Sequence, residues 1–270
     1  MRRRRAQLAR LFLATVFAAV IGSGAIPALH RPALVQAATA DSIETEILGW
    51  LNSDRAAHGL VALRLDTRLR DLAEYRAGVM ASTGILSHTI AGCLSCQLTS
   101  RAIQWYSEGE CIAWTGWAWG DEAAKSIYGL WHDSSHWPLL MSAKFNYIGI
   151  GIAYRSANRT TWSSLVLTES VDHTRPVAKI TGHSQYGTTL RWSWWGADRP
   201  LQTHTAGLKN FDVEYRVGWG AWSLIRSGTT STYLALYNRA HGHYYGFRIR
   251  SRDNRGNVSY WTAEVRMWVP

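Results

Sequence analysis

The chain has few cysteines and few long apolar segments. It contains only 3 cysteines among 270 residues, and after the first forty residues no apolar run reaches the length of about 20 residues that a membrane-spanning helix needs. An odd number of cysteines excludes a fully paired disulfide scaffold within one chain. No fourth ligand stands at a suitable spacing from the three cysteines, which argues against a structural zinc site. The sequence also lacks the Gly-x-Ser-x-Gly turn that presents the nucleophile of many serine hydrolases.

The first forty residues contain no acidic side chain and have the pattern of a secretory leader. Arg2 to Arg5 provide a positive start, Leu11 to Ile26 is nearly all apolar or small, and Ala38-Thr39-Ala40 fits a cleavage site. We therefore predict a signal peptide over residues 1–40 and a secreted or cell-surface protein with no transmembrane segment after cleavage. The alternative is that this segment is retained as a membrane anchor.

The remaining charge is small and unevenly placed. The formal net charge of +10 includes six arginines before residue 41, which leaves 23 basic against 19 acidic side chains. This balance is too mild to indicate nucleic-acid binding. Residues 41–170 have a net charge of −3 and residues 171–270 one of +7, and the segment 170–176 between them is polar and contains a proline. We predict two domains with these boundaries.

Three short motifs carry most of the chemical information. They are His88, the Gly-Glu-Cys at 109–111 and the Trp-x-x-Ser-x-His at 131–136, all within about fifty residues. Two imidazoles and a carboxylate in one cleft can bind a metal, move a proton or hold a polar ligand.

Apolar spacing in this half predicts mixed helices and strands. One helix is expected to begin after a cap at Asp66 or Thr67 and to end at Gly84, which places His88 in the following loop. The other elements expected here are two helices and two strands, at 43–51, 121–131, 148–154 and 162–168.

At this point the sequence resembles the CAP superfamily of cysteine-rich secretory, venom-antigen and pathogenesis-related proteins. The motifs that carry the resemblance are Asn52-x-x-Arg55, Ser87-His88, Gly109-Glu110, Trp131-x-x-Ser134-x-His136 and Gly149-x-Gly151. The resemblance implies an α-β-α sandwich over residues 41–170 in a secreted protein. It also implies a cavity that in many members holds two histidines and two glutamates and in some members takes up zinc or another divalent ion.

Three of the four cavity residues have counterparts in this chain. His88 and His136 match the two family histidines, and Glu110 matches the first glutamate. The second glutamate falls on Ser134, and Cys111 replaces the asparagine that usually follows Glu110. The resemblance thus implies a metal site of His88, Glu110 and His136, with zinc or another divalent cation as cofactor. The alternative is that these residues brace the fold through hydrogen bonds.

The three cysteines predict one disulfide and one leftover thiol, or an intermolecular bond. We expect Cys111 to pair with Cys93 or Cys96, which would fasten the loop after His88 and stabilise the fold by about 3 kcal/mol in the loop-entropy model. Cys93 and Cys96 have the spacing of a redox motif, but the surrounding βαβ pattern of an oxidoreductase is lacking.

The second half predicts an all-β sandwich that resembles fibronectin type III-like domains of bacterial extracellular proteins. Strand signals recur between turns rich in Gly, Asn and Asp, and the resemblance rests on Leu190–Trp192, Phe211–Arg216, Trp222-Ser223 and Phe247–Asn257. The expected fold class is therefore α+β, a CAP sandwich followed by an immunoglobulin-like sandwich. This resemblance implies a binding or spacer module without an active site.

The tryptophans and arginines of the second half allow two interpretations. Arg216, Arg248 and Arg250 can interleave with Trp222 and Trp261 in a cation–π ladder that stiffens the sandwich. The alternative is a binding face, with tryptophans stacked on sugar rings or a basic surface attached to an anionic cell-wall or surface polymer.

Two function classes follow, and we favour the first. It is a secreted, non-enzymatic CAP-domain protein whose cavity binds a divalent ion or a small apolar ligand. The second is an extracellular hydrolase that acts on peptide or cell-wall material through Glu110, His88 and His136. A purely structural surface protein is a third hypothesis. Nucleophilic attack by Ser134 or Ser135 is disfavoured because adjacent residues rarely form a serine–histidine pair.

Overall fold

The computed structural model describes residues 40–270, so the predicted signal peptide lies outside the described residues except for Ala40. The described residues belong to one compact unit. Among them, no helix combines the length and the apolar character that crossing a membrane requires.

The first part of the chain combines five helices with a four-stranded sheet. The helices are α1 (Ala40–Ala57), α2 (Thr67–Thr83), α3 (Leu94–Ser100), α4 (Asp121–Leu130) and α5 (Trp137–Leu140). The strands are β1 (Arg64–Leu65), β2 (Ser107–Thr115), β3 (Tyr147–Arg155) and β4 (Thr160–Glu169). Their order in the sheet is β1-β3-β4-β2, which makes the nine-residue β2 an edge strand.

Helices cover both faces of this sheet. Alternate residues of β3 point to opposite faces. Ile148 and Ile150 pack into the core shared with α1 and α4, whereas Gly149 and Gly151 face α2. A Cβ atom on Gly149 would lie 2.1 Å from the carbonyl carbon of Leu69, so α2 approaches β3 more closely than any larger residue allows.

Helix α2 confirms the predicted boundaries. The carboxylate of Asp66 accepts a hydrogen bond from the Arg68 N–H at 2.8 Å, as a capping residue does. Gly84 adopts the left-handed conformation with φ of 73° and donates its N–H to the Met80 carbonyl. The helix therefore ends where the sequence predicted, and His88 lies in the loop that follows.

The second part is all-β. Its strands are β5 (Val177–Tyr186), β6 (Thr189–Ala197), β7 (Leu208–Val217), β8 (Ser223–Thr229), β9 (Tyr233–Leu236), β10 (His243–Asp253) and β11 (Val265–Val269). They form two antiparallel sheets, in the orders β11-β10-β7-β8 and β5-β6-β9. The buried ring of Trp192 stacks on Phe247 in the core, with 4.6 Å between their centroids. The overall class is α+β, as predicted.

The two parts are in contact where the architecture changes, between Glu169 and Val177. The ring of His173 stacks on Tyr147 at 3.8 Å, and its Nε2 lies 2.9 Å from the Asp66 carboxylate. Leu201 from the second part is buried in a cluster that includes residues of α2. The predicted division at residues 170 and 171 coincides with this change of architecture, and independent folding of the two parts stays a prediction.

The predicted cation–π ladder is confirmed on the outer face of the β7–β10 sheet. Arg216 and Arg248 lie over the two faces of Trp222 at 4.6 and 4.2 Å, and Arg248 and Arg250 lie over Trp261 at 4.8 and 4.6 Å. Each of these arginines also pairs with an acidic residue: Arg216 with Glu264, Arg248 with Glu214 and Arg250 with Asp212. Asp212 and Glu264 also pair with Arg252 and Arg266, so five arginines share three carboxylates here and the cluster keeps a net positive charge.

Glu44 is a buried carboxylate in an unfavourable environment. It is only 5% exposed, and its Oε1 lacks a hydrogen-bond partner among the described residues. Burial, together with the nearby charges of Glu74 and Asp41, raises the pKa of Glu44 to about 7, although Arg70 acts in the opposite direction. Between pH 4.5 and about 7 the folded protein thus keeps Glu44 mostly protonated, whereas the unfolded chain has mostly released this proton.

We predict that Glu44→Gln stabilises the protein at pH 8 by about 1–2 kcal/mol and changes little at pH 5. The pKa of Glu44 is raised from 4.5, so its ionisation destabilises the fold progressively as the pH rises from 4.5 through about 7. Glutamine removes the charge, and its amide N–H groups can donate hydrogen bonds to the acidic neighbours of Glu44. Urea unfolding at the two pH values measures the effect, and an equal change at both would contradict the explanation.

Candidate functional site

A buried ion pair between Arg76 and Glu110 forms the centre of the predicted site. Nε and Nη2 of Arg76 on α2 donate to the two carboxylate oxygens of Glu110 on β2 at 2.6 and 2.8 Å. The two side chains are 1% and 4% exposed. A two-point contact of this kind fixes both the distance and the orientation of α2 against the edge strand.

Glu110 also receives hydrogen bonds from two other elements. The Ser164 hydroxyl on β4 donates to Oε1 at 2.7 Å, and His88 Nδ1 donates to Oε2 at 2.8 Å. Burial alone would raise the pKa of Glu110, but the hydrogen bonds from His88, Arg76 and Ser164 outweigh it and hold that pKa below its ordinary value. Glu110 is therefore an anion with both oxygens occupied.

The remaining donors of Arg76 hold the loop that carries His88. Nη2 donates to the His88 carbonyl at 2.6 Å, and Nη1 donates to the Gly92 carbonyl at 3.1 Å and to Gln97 Oε1 at 2.7 Å. The imidazole of His88 is 52% exposed, with Nδ1 bound to Glu110. This geometry leaves Nε2 as the only ring nitrogen of His88 with which a ligand could interact.

His136 belongs to a different group of residues. Its Nδ1 lies 2.8 Å from Asp133 Oδ2, and its own N–H donates to Asp133 Oδ1 at 2.7 Å. Hydrogen bonds from the backbone and ring of His136, together with those of Ser135, hold the pKa of Asp133 well below its usual range. An ionised Asp133 keeps the proton on Nδ1, so Nε2 of a neutral His136 is a hydrogen-bond acceptor.

An apolar cleft runs along the free edge of β2 and ends at this histidine. The cleft has a volume of about 360 Å³. One wall comes from the loop after α2 and the other from the segment after α4, and the lining residues are Leu86, Ile112, Ala113, Trp114, Leu130, Asp133 and His136. Volume, apolar walls and one polar end are typical of a site for a small ligand.

The structure thus separates the predicted triad into two groups. His88 and Glu110 form one network with Arg76, whereas His136 pairs with Asp133 and lines the cleft. Within residues 40–270, the groups of three ligand atoms within 4.8 Å of one another are Asp41–Glu44–Glu74 and Asp172–Asp198–Asp253, and the predicted triad is not among them.

The contacts of Glu110 do not fit a zinc ligand. Its oxygens already accept four hydrogen bonds, and the guanidinium of Arg76 provides the positive charge beside it. A dication at this position would need to displace His88 or Ser164 and would be repelled by Arg76. Zinc binding by His88, Glu110 and His136 stays a prediction that the geometry does not favour.

The expected disulfide of Cys111 is wrong. Cys93 is bonded to Cys96, and Cys111 is a buried free thiol. Strand alternation explains the difference, because Glu110 points toward α2 and the loop that carries Cys93, whereas Cys111 points to the opposite face and packs with α1 and α4. Burial raises the pKa of Cys111, which keeps this thiol protonated and unreactive.

Sequence reasoning missed Arg76, Asp133 and Ser164. Arg76 falls at a position of α2 where the apolar stripe of Leu72, Ala73, Ala77 and Met80 predicts a buried residue, so a charged side chain there was a detectable signal. Asp133 stands three residues before His136, a spacing that allows a carboxylate to cap a turn and contact the histidine. No local pattern indicated Ser164.

Comparison with known proteins finds one matching family model. Residues 48–167 match the model of the CAP family, described as the cysteine-rich secretory protein family. The match supports a CAP domain over these residues. No curated protein matches the sequence.

Several solved structures are similar to the CAP part. An extracellular protein with an SCP domain from Bacillus anthracis is 19% identical, with a TM-score of 0.41, and the match covers 48% of this chain and 41% of that one. A cysteine-rich secretory protein from Staphylococcus aureus is 18% identical (TM-score 0.39; 51% and 40% covered). An outer surface protein from Borrelia burgdorferi is 15% identical (0.43; 50% and 97%). The chain thus spans about two fifths of the first two proteins.

We predict that Arg76→Leu destabilises the CAP domain by about 3–5 kcal/mol, because it leaves the buried charge of Glu110 without its main partner. Arg76→Lys keeps the charge but loses the two-point contact, so we expect an intermediate loss. Urea unfolding at pH 7 measures both.

The matched control is Arg101→Leu, which removes an exposed arginine that lies over the ring of Tyr75 on α2 at 5.7 Å and should cost less than about 1 kcal/mol. The pKa of Glu110 is lowered in the fold, so its ionised form stabilises the protein. This stabilisation is present above the ordinary pKa of 4.5 and is lost as the pH falls through the folded pKa. Equal losses for Arg76→Leu and Arg101→Leu would contradict the central role of the ion pair.

Proposed function

We propose that this is a secreted CAP-domain protein that binds a small apolar ligand in the cleft beside β2. The observation that carries the proposal is the cleft itself, with apolar walls and a single polar end at Asp133 and His136. Secretion is supported by the leader pattern of residues 1–40 and by the family to which the domain model belongs.

The walls of the cleft expose apolar surface that a ligand would cover. Leu86, Trp114 and Leu130 are 43%, 45% and 49% exposed. Below them, Ile112 is buried against Met80 and Trp162, and the ring of Trp114 stacks on Trp162 at 5.7 Å. A rigid floor with exposed apolar rims is suited to a ligand that needs little rearrangement of the protein.

The polar end defines one feature of the ligand. With Nδ1 bound to Asp133, Nε2 of His136 accepts a hydrogen bond when the imidazole is neutral. A ligand with an apolar body and a terminal hydroxyl or amide N–H therefore matches the cleft. A carboxylate-ended ligand would meet the negative charge of Asp133 and is disfavoured at neutral pH.

The hydrolase hypothesis gains one observation and loses another. The Asp133–His136 pair has the orientation of a general base held by a carboxylate. Glu110 is saturated with hydrogen bonds, however, and the Ser135 hydroxyl lies 3.4 Å from Nδ1 of His136, the nitrogen that Asp133 already occupies. The remaining form of the hydrolase hypothesis is one in which His136 activates a water molecule. Glu110→Gln would not test this form.

We infer that the all-β part is a fibronectin type III-like spacer or binding module. Two antiparallel sheets around an aromatic core support this inference. Attachment to an anionic cell-wall polymer stays a prediction, and the charge around the ladder is compatible with it, because five arginines share only three carboxylates there.

We predict that Leu130→Asp lowers the affinity for an apolar probe at least about tenfold. The probe is Nile red, followed by its own fluorescence and by quenching of tryptophan emission. The matched control is Leu224→Asp, since Leu224 is 53% exposed on β8 of the second part and should leave the affinity unchanged. Equal binding by the native protein, Leu130→Asp and Leu224→Asp would exclude the cleft as the binding site.

A calorimetric zinc titration tests the competing metal hypothesis. We expect no saturable 1:1 binding that depends on the histidines, because Arg76 and the hydrogen bonds of Glu110 occupy the position of the third ligand. The comparison is a His88→Ala, His136→Ala double variant. A 1:1 isotherm in the native protein that disappears in this variant would replace the apolar-ligand proposal by a metal site.

A further inference from the structure

The disulfide between Cys93 and Cys96 is exposed and stands apart from the core. Both residues are exposed, at the loop that leads into α3. The two cysteines are separated by only two residues, and a disulfide that closes so short a loop restricts the unfolded chain less than one that closes a long loop. Stabilisation of the fold is therefore a weak explanation for this bond.

Other contacts hold the loop without the disulfide. Arg76 binds the Gly92 carbonyl and the Gln97 side chain, and Gln97 Nε2 donates to the Ala91 carbonyl at 2.6 Å. Leu98 of α3 is fully buried in the cluster that includes residues of α2. The bond between the sulfurs can thus open and close while the surrounding backbone stays in place.

The two sulfurs have different surroundings. Cys93 Sγ accepts hydrogen bonds from the Cys96 N–H at 3.1 Å and from the Ser95 hydroxyl at 3.3 Å. Both donors stabilise negative charge on this sulfur, which makes Cys93 the better leaving group when the disulfide is attacked.

A surface groove lies beside the other sulfur. It has a volume of about 510 Å³, its accessible lining is mostly apolar, and the lining residues are Ser95, Cys96, Thr99, Ser100 and Trp105. The indole N–H of Trp105 donates to the Thr99 hydroxyl at 3.4 Å, which orients the ring. A peptide with an apolar side chain next to a cysteine can place its thiolate at Cys96 by resting on this groove.

We propose that Cys93 and Cys96 form a thiol–disulfide exchange site for cysteine-containing peptides. A peptide thiolate attacks Cys96 Sγ, the new sulfur–sulfur bond forms there, and the bond between Cys96 and Cys93 breaks with its electron pair on Cys93. A second thiolate of the same peptide then attacks the peptide sulfur that is bonded to Cys96. A disulfide forms within the peptide, and Cys96 leaves as a thiolate. Two peptide thiols are oxidised to a disulfide, the protein disulfide is reduced to a dithiol, and the reverse reaction with a peptide disulfide restores it.

The first experiment is reduction of the folded protein by dithiothreitol, followed by alkylation with iodoacetamide and peptide mass spectrometry. We expect Cys93 and Cys96 to be alkylated while the circular dichroism spectrum is unchanged and Cys111, which is buried, stays unmodified. Reduction that occurs only when the protein unfolds would show that the bond is structural and would overturn the proposal.

The second experiment tests the asymmetry of the two sulfurs with oxidised glutathione as the probe. The free Cys93 thiol of Cys96→Ser should form the mixed disulfide about tenfold faster at pH 7 than the free Cys96 thiol of Cys93→Ser. Adding Ser95→Ala to Cys96→Ser should slow formation of the mixed disulfide at Cys93, because the Ser95 hydroxyl donates to this sulfur. Equal rates for the two single variants would overturn the assignment of Cys93 as the leaving group.

The third experiment tests the groove. Trp105→Ala should slow oxidation of a synthetic peptide that carries two cysteines flanked by phenylalanine, and it should leave the reaction of the reduced protein with the small glutathione disulfide within about twofold. A variant that slows both reactions equally, or neither, would show that the groove does not select the substrate.

Discussion

The buried pair of Arg76 and Glu110 is the interaction on which the rest of the CAP domain depends. It joins α2 to the edge strand β2. Glu110 also accepts a hydrogen bond from Ser164 on β4, and Arg76 also donates to carbonyl groups of the 88–97 loop. Two buried charges are expensive to desolvate, and they are tolerated because every oxygen of the carboxylate has a donor. The pair thereby fixes α2, β2, β4 and the 88–97 loop relative to one another.

This arrangement determines which parts of the site remain available. Glu110 has no free lone pair in a favourable direction, and His88 contributes its Nδ1 to the same network. The available chemistry therefore moves to the outer edge of β2, where Asp133 and His136 come from the opposite helix layer. Of the residues that match the family motif, His88 and Glu110 brace the fold, whereas His136 lines the cleft and is available for recognition.

Much of the fold could be predicted from the sequence because its signals are local. The Asp66 cap, the Gly84 stop and the glycines at 149 and 151 each reflect the conformation or space at one position. Strand alternation places Arg248 and Arg250 on one face of β10, although their tryptophan partners Trp222 and Trp261 lie in the connections between strands. Such inferences need only the period of the element.

The site was less predictable because its partners are set by three-dimensional packing. The sequence indicated Glu110 but not the arginine that saturates it, although Arg76 interrupts an otherwise apolar stripe. The same limit explains the disulfide, since the pairing of Cys111 depended on which face of β2 it occupies, and the position of β2 had not been predicted.

The same packing allows the domain to carry two separate chemistries. Arg76 holds the 88–97 loop from within by bonding its backbone, so neither the side chain of His88 nor the sulfurs at Cys93 and Cys96 are needed to keep the loop in place. A loop fixed by a buried arginine can expose a reactive bond on its surface without losing its own conformation. The cleft and the exposed disulfide lie on separate surfaces with no lining residue in common, and both are positioned by the same ion pair, so a change that weakens this pair should disturb both together.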